Sequence, residues 1–359
     1  MASVRRIVDH PSTRVVLLIL AGAQAMIGAF VLGLAVNIGT SSVSPRGNAP
    51  ATVTDVPADR GPFPLVAVSV AGIGGTPQSI TVTADGELWF TVNQPPAIGR
   101  IEAGGRVTRY PTRSQQEPGM ITLRRDGGVW YTDPAAGAIG FVTSSGAMVR
   151  YPIGAAGFPR GIVAGPDGNV WFTFDAFDGD WIGRMTPTGG VTRFPLPANS
   201  RDPGAIIAGP DDNLWFAVAG SLGRITTGGE ITEVPVSATA GGLATGPDAT
   251  IWFTGNSATG AATVGRVETG RAPKVTGLYD LPEGAVGRGI VAGSDGNMWL
   301  ANQARESITR VSPRGQITRY TLGGGQYPEA MAASTDGRLW FTFLSPRGTG
   351  GVATFTVPR

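Results

Sequence analysis

The stretch that decides the fold is Phe158-Pro159-Arg160-Gly161-Ile162-Val163-Ala164-Gly165-Pro166-Asp167-Gly168-Asn169-Val170-Trp171-Phe172-Thr173. Small and β-branched residues at 162–164 read as a short strand. Asp167-Gly168 reads as a tight hairpin, because a type I′ turn needs positive φ at both central positions. Residues 169–174 return as a second strand, apolar on both faces, which suits a sheet sandwiched between two neighbours. Downstream, residues 182–185 read as a third strand, 188–190 as a Gly-rich turn and 191–195 as a fourth strand. The unit is a four-stranded antiparallel sheet.

The unit recurs. Trp171 belongs to the series Trp89, Trp130, Trp171, Trp215, Trp252, Trp299 and Trp340, spaced 41, 41, 44, 37, 47 and 41 residues apart. Each tryptophan follows an aspartate by four positions: Asp85, Asp126, Asp167, Asp211, Asp248, Asp295 and Asp336. A period of about 40 residues built from short strands is the signature of a β-propeller. The chain therefore reads as all-β, a seven-bladed propeller of four-stranded antiparallel blades. Tryptophan and aspartate are read as a packing frame, since one carboxylate per turn falls short of the roughly 6–8 oxygens calcium takes. After the seventh tryptophan one further strand remains, at 352–357, and a lone strand at 63–70 precedes the first repeat. Residues 63–70 are expected to complete blade seven as its outer strand, pairing edges that would otherwise be exposed.

The 55 glycines and 28 prolines recur in register with the repeat, so they are turn residues and not low-complexity sequence. A charged fraction of 15% and a net charge of +2 imply no strongly charged partner, and no basic stripe points to nucleic acid. No cysteine is present and His10 is the only histidine, so no Cys or His metal constellation is expected in the propeller. Residues 15–36 carry no charge, and a helix of that length matches a hydrocarbon core of about 30 Å. Arg5, Arg6 and Arg14 precede it. The positive-inside rule then predicts a cytoplasmic N-terminus at 1–14, one transmembrane anchor at 15–36 and an extracytoplasmic remainder. A cleaved signal peptide is the alternative; the length of the apolar run and the lack of a small-x-small cleavage site argue against it. Residues 37–62 read as a flexible linker and 63–359 as the propeller.

The repeat wording, Gly165-Pro166-Asp167-Gly168-Asn169-Val170-Trp171-Phe172-Thr173 followed by Ile182-Gly183-Arg184, resembles the virginiamycin B lyase (streptogramin lyase) family of seven-bladed propellers. The resemblance covers roughly residues 63–359. It implies an enzyme that linearises streptogramin B antibiotics by elimination at an ester, assisted by magnesium, with histidines and a glutamate at the mouth of a central funnel. In the family pattern one histidine precedes the inner strand of the last blade; the matching position here is Glu329, in Tyr327-Pro328-Glu329-Ala330. A glutamate and a second histidine follow the Trp-Phe strand of that blade, where this chain has Phe343-Leu344-Ser345-Pro346. A general base works best with a pKa near the working pH, which favours histidine. The propeller region has none, so the resemblance carries the fold further than it carries the reaction.

Residues just before strand one and just after strand two are expected to share one rim. Before strand one they are Gln78, Gly119, Arg160, Gly204, Gly241, Arg288 and Glu329; after strand two they include Asp133 and Asn302. Gln78, Asp133, Arg160, Arg288, Asn302 and Glu329 form the candidate ligand-binding set, with the two arginines suited to clamp a carboxylate or phosphate. The opposing reading pairs Arg160 and Arg288 with Asp133 and Glu329 merely to neutralise charge. Glu329 is the one catalytic candidate, as a carboxylate raised in pKa by crowding. Trp181, outside the repeat series, is either a recognition residue or loop packing. The sequence thus predicts an envelope-facing binding propeller. Its alternatives are a divergent lyase, the only case requiring magnesium, and a scaffold binding through blade edges.

Overall fold

The structure is a computed structural model, and it describes residues 53–56, 66–68, 75–112, 117–125, 127–281, 289–303, 306–322, 325–346 and 350–357. The anchor expected at 15–36, most of the linker, Asp126 and Arg288 lie outside the described residues. Among the described residues no helix is long and apolar enough to cross a membrane.

Among the described residues seven sheets are present, each built on four antiparallel strands. Blade one is β3 (Thr76–Val82), β4 (Leu88–Asn93), β5 (Ala97–Ile101) and β6 (Val107–Pro111). Blade two is β7 (Ile121–Leu123), β8 (Val129–Asp133), β9 (Ala138–Val142) and β10 (Met148–Pro152). Blade three is β11 (Gly157–Ala164), β12 (Val170–Ala176), β13 (Trp181–Met185) and β14 (Val191–Pro195). Blade four runs β15 (Ile206–Ala208) to β18 (Ile231–Pro235), and blade five β19 (Ala238–Thr245) to β22 (Lys274–Asp280). Blade six is β23 (Ile290–Ala292), β24 (Met298–Asn302), β25 (Ser307–Val311) and β26 (Ile317–Thr321). Blade seven is β27 (Tyr327–Ala333), β28 (Arg338–Leu344) and β29 (Gly350–Thr356), and β2 (Val66–Val68) pairs antiparallel with β29 as its outer strand. The first strands of successive blades touch in order, and β27 meets β3, so the ring closes.

One segment departs from the linker reading. Val53–Val56, called β1, pairs in parallel with β26 as a fifth strand of blade six. Asp55 lies opposite Arg319 and holds its guanidinium through two oxygens, at 2.8 Å each. Val53 and Val56 favour extended backbone, and the open edge of β26 supplies the ladder.

All seven tryptophans are buried. Each shares a cluster with the residue that follows the tryptophan of the next blade: Trp89 with Tyr131, Trp130 with Phe172, Trp171 with Phe216, Trp215 with Phe253, Trp252 with Leu300 and Trp299 with Phe341. Trp340 with Phe90 completes the circuit. Deleting one such side chain costs about 3–5 kcal/mol. The aspartates explain their own spacing. Trp171, Trp215 and Trp299 donate their indole N–H to Asp167, Asp211 and Asp295 at 3.0, 2.9 and 3.1 Å. Those blades have glycine two positions before the aspartate, where a Cβ would crowd both groups. Blades one and seven have Thr83 and Ser334 there, whose hydroxyls take Asp85 and Asp336 instead.

Candidate functional site

Antiparallel order puts the strand one–two and three–four turns on one face of the ring and the remaining loops on the other, the rim. On that rim the first strands of blades one, three, five and seven are bulged, between Pro77 and Ile80, Pro159 and Ile162, Ala240 and Leu243, and Pro328 and Met331. Bulges re-aim side chains. Gln78, Arg160, Gly241 and Glu329 all lie inside them.

A threonine two residues after each of several tryptophans fixes these bulges. Thr91, Thr132, Thr173, Thr254 and Thr342 accept a strand-one N–H of their own blade through the hydroxyl oxygen. Thr132, Thr173 and Thr342 then donate to the carbonyls of Arg160, Gly204 and Gln78 in the following blade, at 3.1, 2.7 and 2.7 Å. The rim backbone is thereby cross-linked at three blade junctions, and the Thr342–Gln78 bond spans the ring closure.

The five described candidates do not gather at one point. Asp133 and Asn302 are buried, at 0% and 1% exposure. They stand three positions after their tryptophan, so strand alternation turns them into the seam between blades and away from the opening. Asp133 faces Arg150 of its own blade at 3.6 Å and accepts the Ala136 N–H at 3.3 Å. Burial, with the Asp133 charge adding to it, pushes the neighbouring Tyr131 phenol up to about 12. Asn302 lies opposite Ser307, and both side chains are buried without a hydrogen-bond partner among the described residues. Gln78 is half-buried in its bulge.

Arg160 is exposed but pairs with Asp175 of its own blade, and not with Asp133 or Glu329. Glu329 accepts a hydrogen bond from Gln303 Nε2 at 3.0 Å, linking blade seven to the loop that follows Asn302. In the same junction Glu306 accepts the Gly325 N–H at 3.1 Å. Glu306 also bonds the Tyr327 hydroxyl, whose pKa rises for that reason. Trp181 is buried and stacks on Phe174 with ring centroids 4.3 Å apart, so it is packing.

The exposed aromatic of that loop is Phe177, 76% exposed and edge-on to Phe158, itself 40% exposed, at 5.7 Å. Met120, at 44%, is exposed on the rim of the adjoining blade. Phe177 stands in the acidic, aromatic loop 175–181 that also holds Trp181, which is the one signal the sequence offers; nothing in the repeat pattern marks Phe158 or Met120 as exposed. Among the described residues no three His, Cys, Asp or Glu side chains converge as a metal would require.

A family model described as the virginiamycin B lyase family matches residues 64–274 and 237–354. A streptogramin B lyase structure is 26% identical, with 82% of this chain and 98% of that one covered at a TM-score of 0.73. A catalytically inactive His-to-Ala variant of virginiamycin B lyase from Staphylococcus aureus, solved with quinupristin, is also 26% identical, covering 82% and 100% at 0.74. The PQQ-bound aldose sugar dehydrogenase of Streptomyces coelicolor, 14% identical over 82% and 98% at 0.53, shares the fold alone. No curated protein matches the chain.

Proposed function

The chain belongs to the virginiamycin B lyase family, and on that premise we propose that it is a membrane-anchored, extracytoplasmic propeller whose rim binds a ligand or protein partner at the cell envelope. The observation that carries this reading is the exposed Phe158–Phe177 pair beside the Arg160–Asp175 ion pair. Exposed aromatic area next to a guanidinium, on loops held by a rigid ring, is the chemistry of a recognition surface. A histidine-free propeller region speaks for binding over elimination.

Glu329 motivates the second reading, a divergent lyase. It stands where the family pattern places a histidine, and one of its oxygens is held by Gln303. In that reading Glu329 takes the proton from the carbon next to the one that bears the ester oxygen; the C–H electron pair forms the new C=C bond, and the alkyl C–O bond breaks with the carboxylate as leaving group. The strand seated on the edge of blade six motivates a third, an envelope scaffold engaged through blade edges.

One experiment separates them. The full chain in neutral detergent is incubated with a streptogramin B and magnesium and followed chromatographically, because elimination conserves mass. Turnover abolished in Glu329→Ala establishes the lyase and removes the binding-only reading. Binding without turnover, lost in Phe158→Ala/Phe177→Ala, supports the rim. If neither occurs, this antibiotic class is excluded as the ligand, and crosslinking in the envelope at blade-edge positions tests the scaffold. Protease access to a C-terminal tag on intact cells checks the topology; a protected tag overturns the envelope placement.

A further inference from the structure

The face opposite the rim holds two clefts that meet at one break in the repeat. Six and five positions before the tryptophan, other blades place small uncharged residues: Thr83-Ala84, Gly165-Pro166, Gly209-Pro210, Gly246-Pro247, Gly293-Ser294 and Ser334-Thr335. Blade two alone places Arg124-Arg125. Arg124 lies over the Trp130 and Phe141 rings, 4.9 and 4.6 Å from their centroids, so its guanidinium plane is held in place. Arg125 is exposed. Its Nη2 donates to the Pro166 carbonyl of blade three at 3.2 Å, and it has no carboxylate partner among the described residues. Four further N–H groups of that fork remain for a ligand.

Between blades two and three these arginines border a cleft of about 260 Å³, floored by Trp130 and walled by Gly165, Gly168 and Asn169, with no acidic residue among the described residues of its lining. The nearest carboxylate in the adjoining hairpin, Asp167, is committed to Asn169 and the Trp171 indole. A second cleft of about 420 Å³ lies on the other side of the same arginines, between blades one and two. Its acids are occupied, Glu87 by Arg100 at 2.7 Å and Asp85 by Thr83.

We propose that the blade two–three cleft binds a phosphate group, as the free ion or as the headgroup of an anionic lipid, through Arg125 and Arg124. Paired guanidiniums match an oxyanion with several acceptor oxygens, and the aromatic floor orients one of them. The glycines let the anion approach the main chain. The lipid source is favoured by the direction of β1. It runs parallel to β26, and Val53 aligns with Ile317 just past the Ser312–Gln316 turn, so β1 begins on this same face.

The test titrates inorganic phosphate into the full chain in neutral detergent at low ionic strength, by calorimetry. Wild type binds; Arg125→Ala binds roughly ten-fold or more weakly, the scale of a lost charge-assisted hydrogen bond. Arg125→Lys keeps the charge but loses the fork and falls between them. Lys274→Ala, which removes an exposed cation of blade five, binds as wild type. Phosphatidylglycerol doped into the micelles then distinguishes the sources. Displacement of phosphate identifies a lipid headgroup, and its absence a free anion. Phosphate that fails to bind wild type, or binds Arg125→Ala equally well, overturns the proposal.

Discussion

Blades three and six place different chemistry at the same lattice positions. In blade three Phe172 lies over Gly183 and Phe174 over Trp181, and Arg193 caps that aromatic column 4.9 Å from the Trp181 ring. In blade six the corresponding pairs are Leu300 with Thr309 and Asn302 with Ser307. Arg319, at the position of Arg193, has no ring to cover and pairs with Asp55 of the added strand. The Phe–Gly exchange is a matter of volume: a Cβ on Gly183 would overlap the Phe172 ring, whereas a leucine leaves room for threonine. The propeller therefore tolerates a polar seam where it cannot tolerate an overfilled one. Hydroxyl and amide groups left without partners weaken a seam but do not change its shape.

The largest test imposes one blade on the other. Gly183→Thr should lower stability by about 3 kcal/mol through overpacking, read as a shift in the denaturant midpoint. Phe172→Leu/Gly183→Thr should recover at least half of that loss. Additive losses in the double variant would show that the pair is not the unit of packing. Next, Thr309→Val removes a buried unpartnered hydroxyl at nearly constant volume and should stabilise the protein by about 1 kcal/mol. A loss of stability there would reveal a partner for Thr309.

Arg319→Ala should cost less than about 1 kcal/mol, because Asp55 is exposed and such pairs are weak. Its clearer signature is faster amide exchange at Thr54 and Asp55 with the rest of blade six unchanged. The smallest effect is in acid. Burial raises the Asp167 carboxyl, but bonds from Asn169 and the Trp171 indole outweigh it and hold the pKa below the usual value. Arg338 first, and then Ser334, hold Asp336 down to about 2. A depressed carboxylate contributes stability fully above its unfolded pKa, about 4, and loses it as pH falls through the folded value. Asp167→Asn should flatten that acid limb measurably, and an unchanged limb would remove the indole bond from the account.

The fold was legible because the repeat states it seven times. The tryptophan spacing, the Asp-Gly turns and the unequal ends specify seven four-stranded blades from residue order alone. The site was less legible. The alignment position of Gln78, Arg160 and Glu329 falls inside a bulge of strand one. Asp133 and Asn302 were misplaced because three residues past the tryptophan the pleat points into a seam. The Arg160 partner, Asp175, lies across a hairpin whose bulge no residue pattern announces.

By itself, the sequence determined the architecture, since periodic patterning is a local property that repetition makes unambiguous. Only the tertiary structure decided which polar groups face solvent and which face one another. That depends on where each strand ends, how each bulge turns and what the next blade presents. It left Phe158 and Phe177 on the rim, buried Trp181 against Phe174, and set Arg124 and Arg125 at the mouth of a cleft on the opposite face.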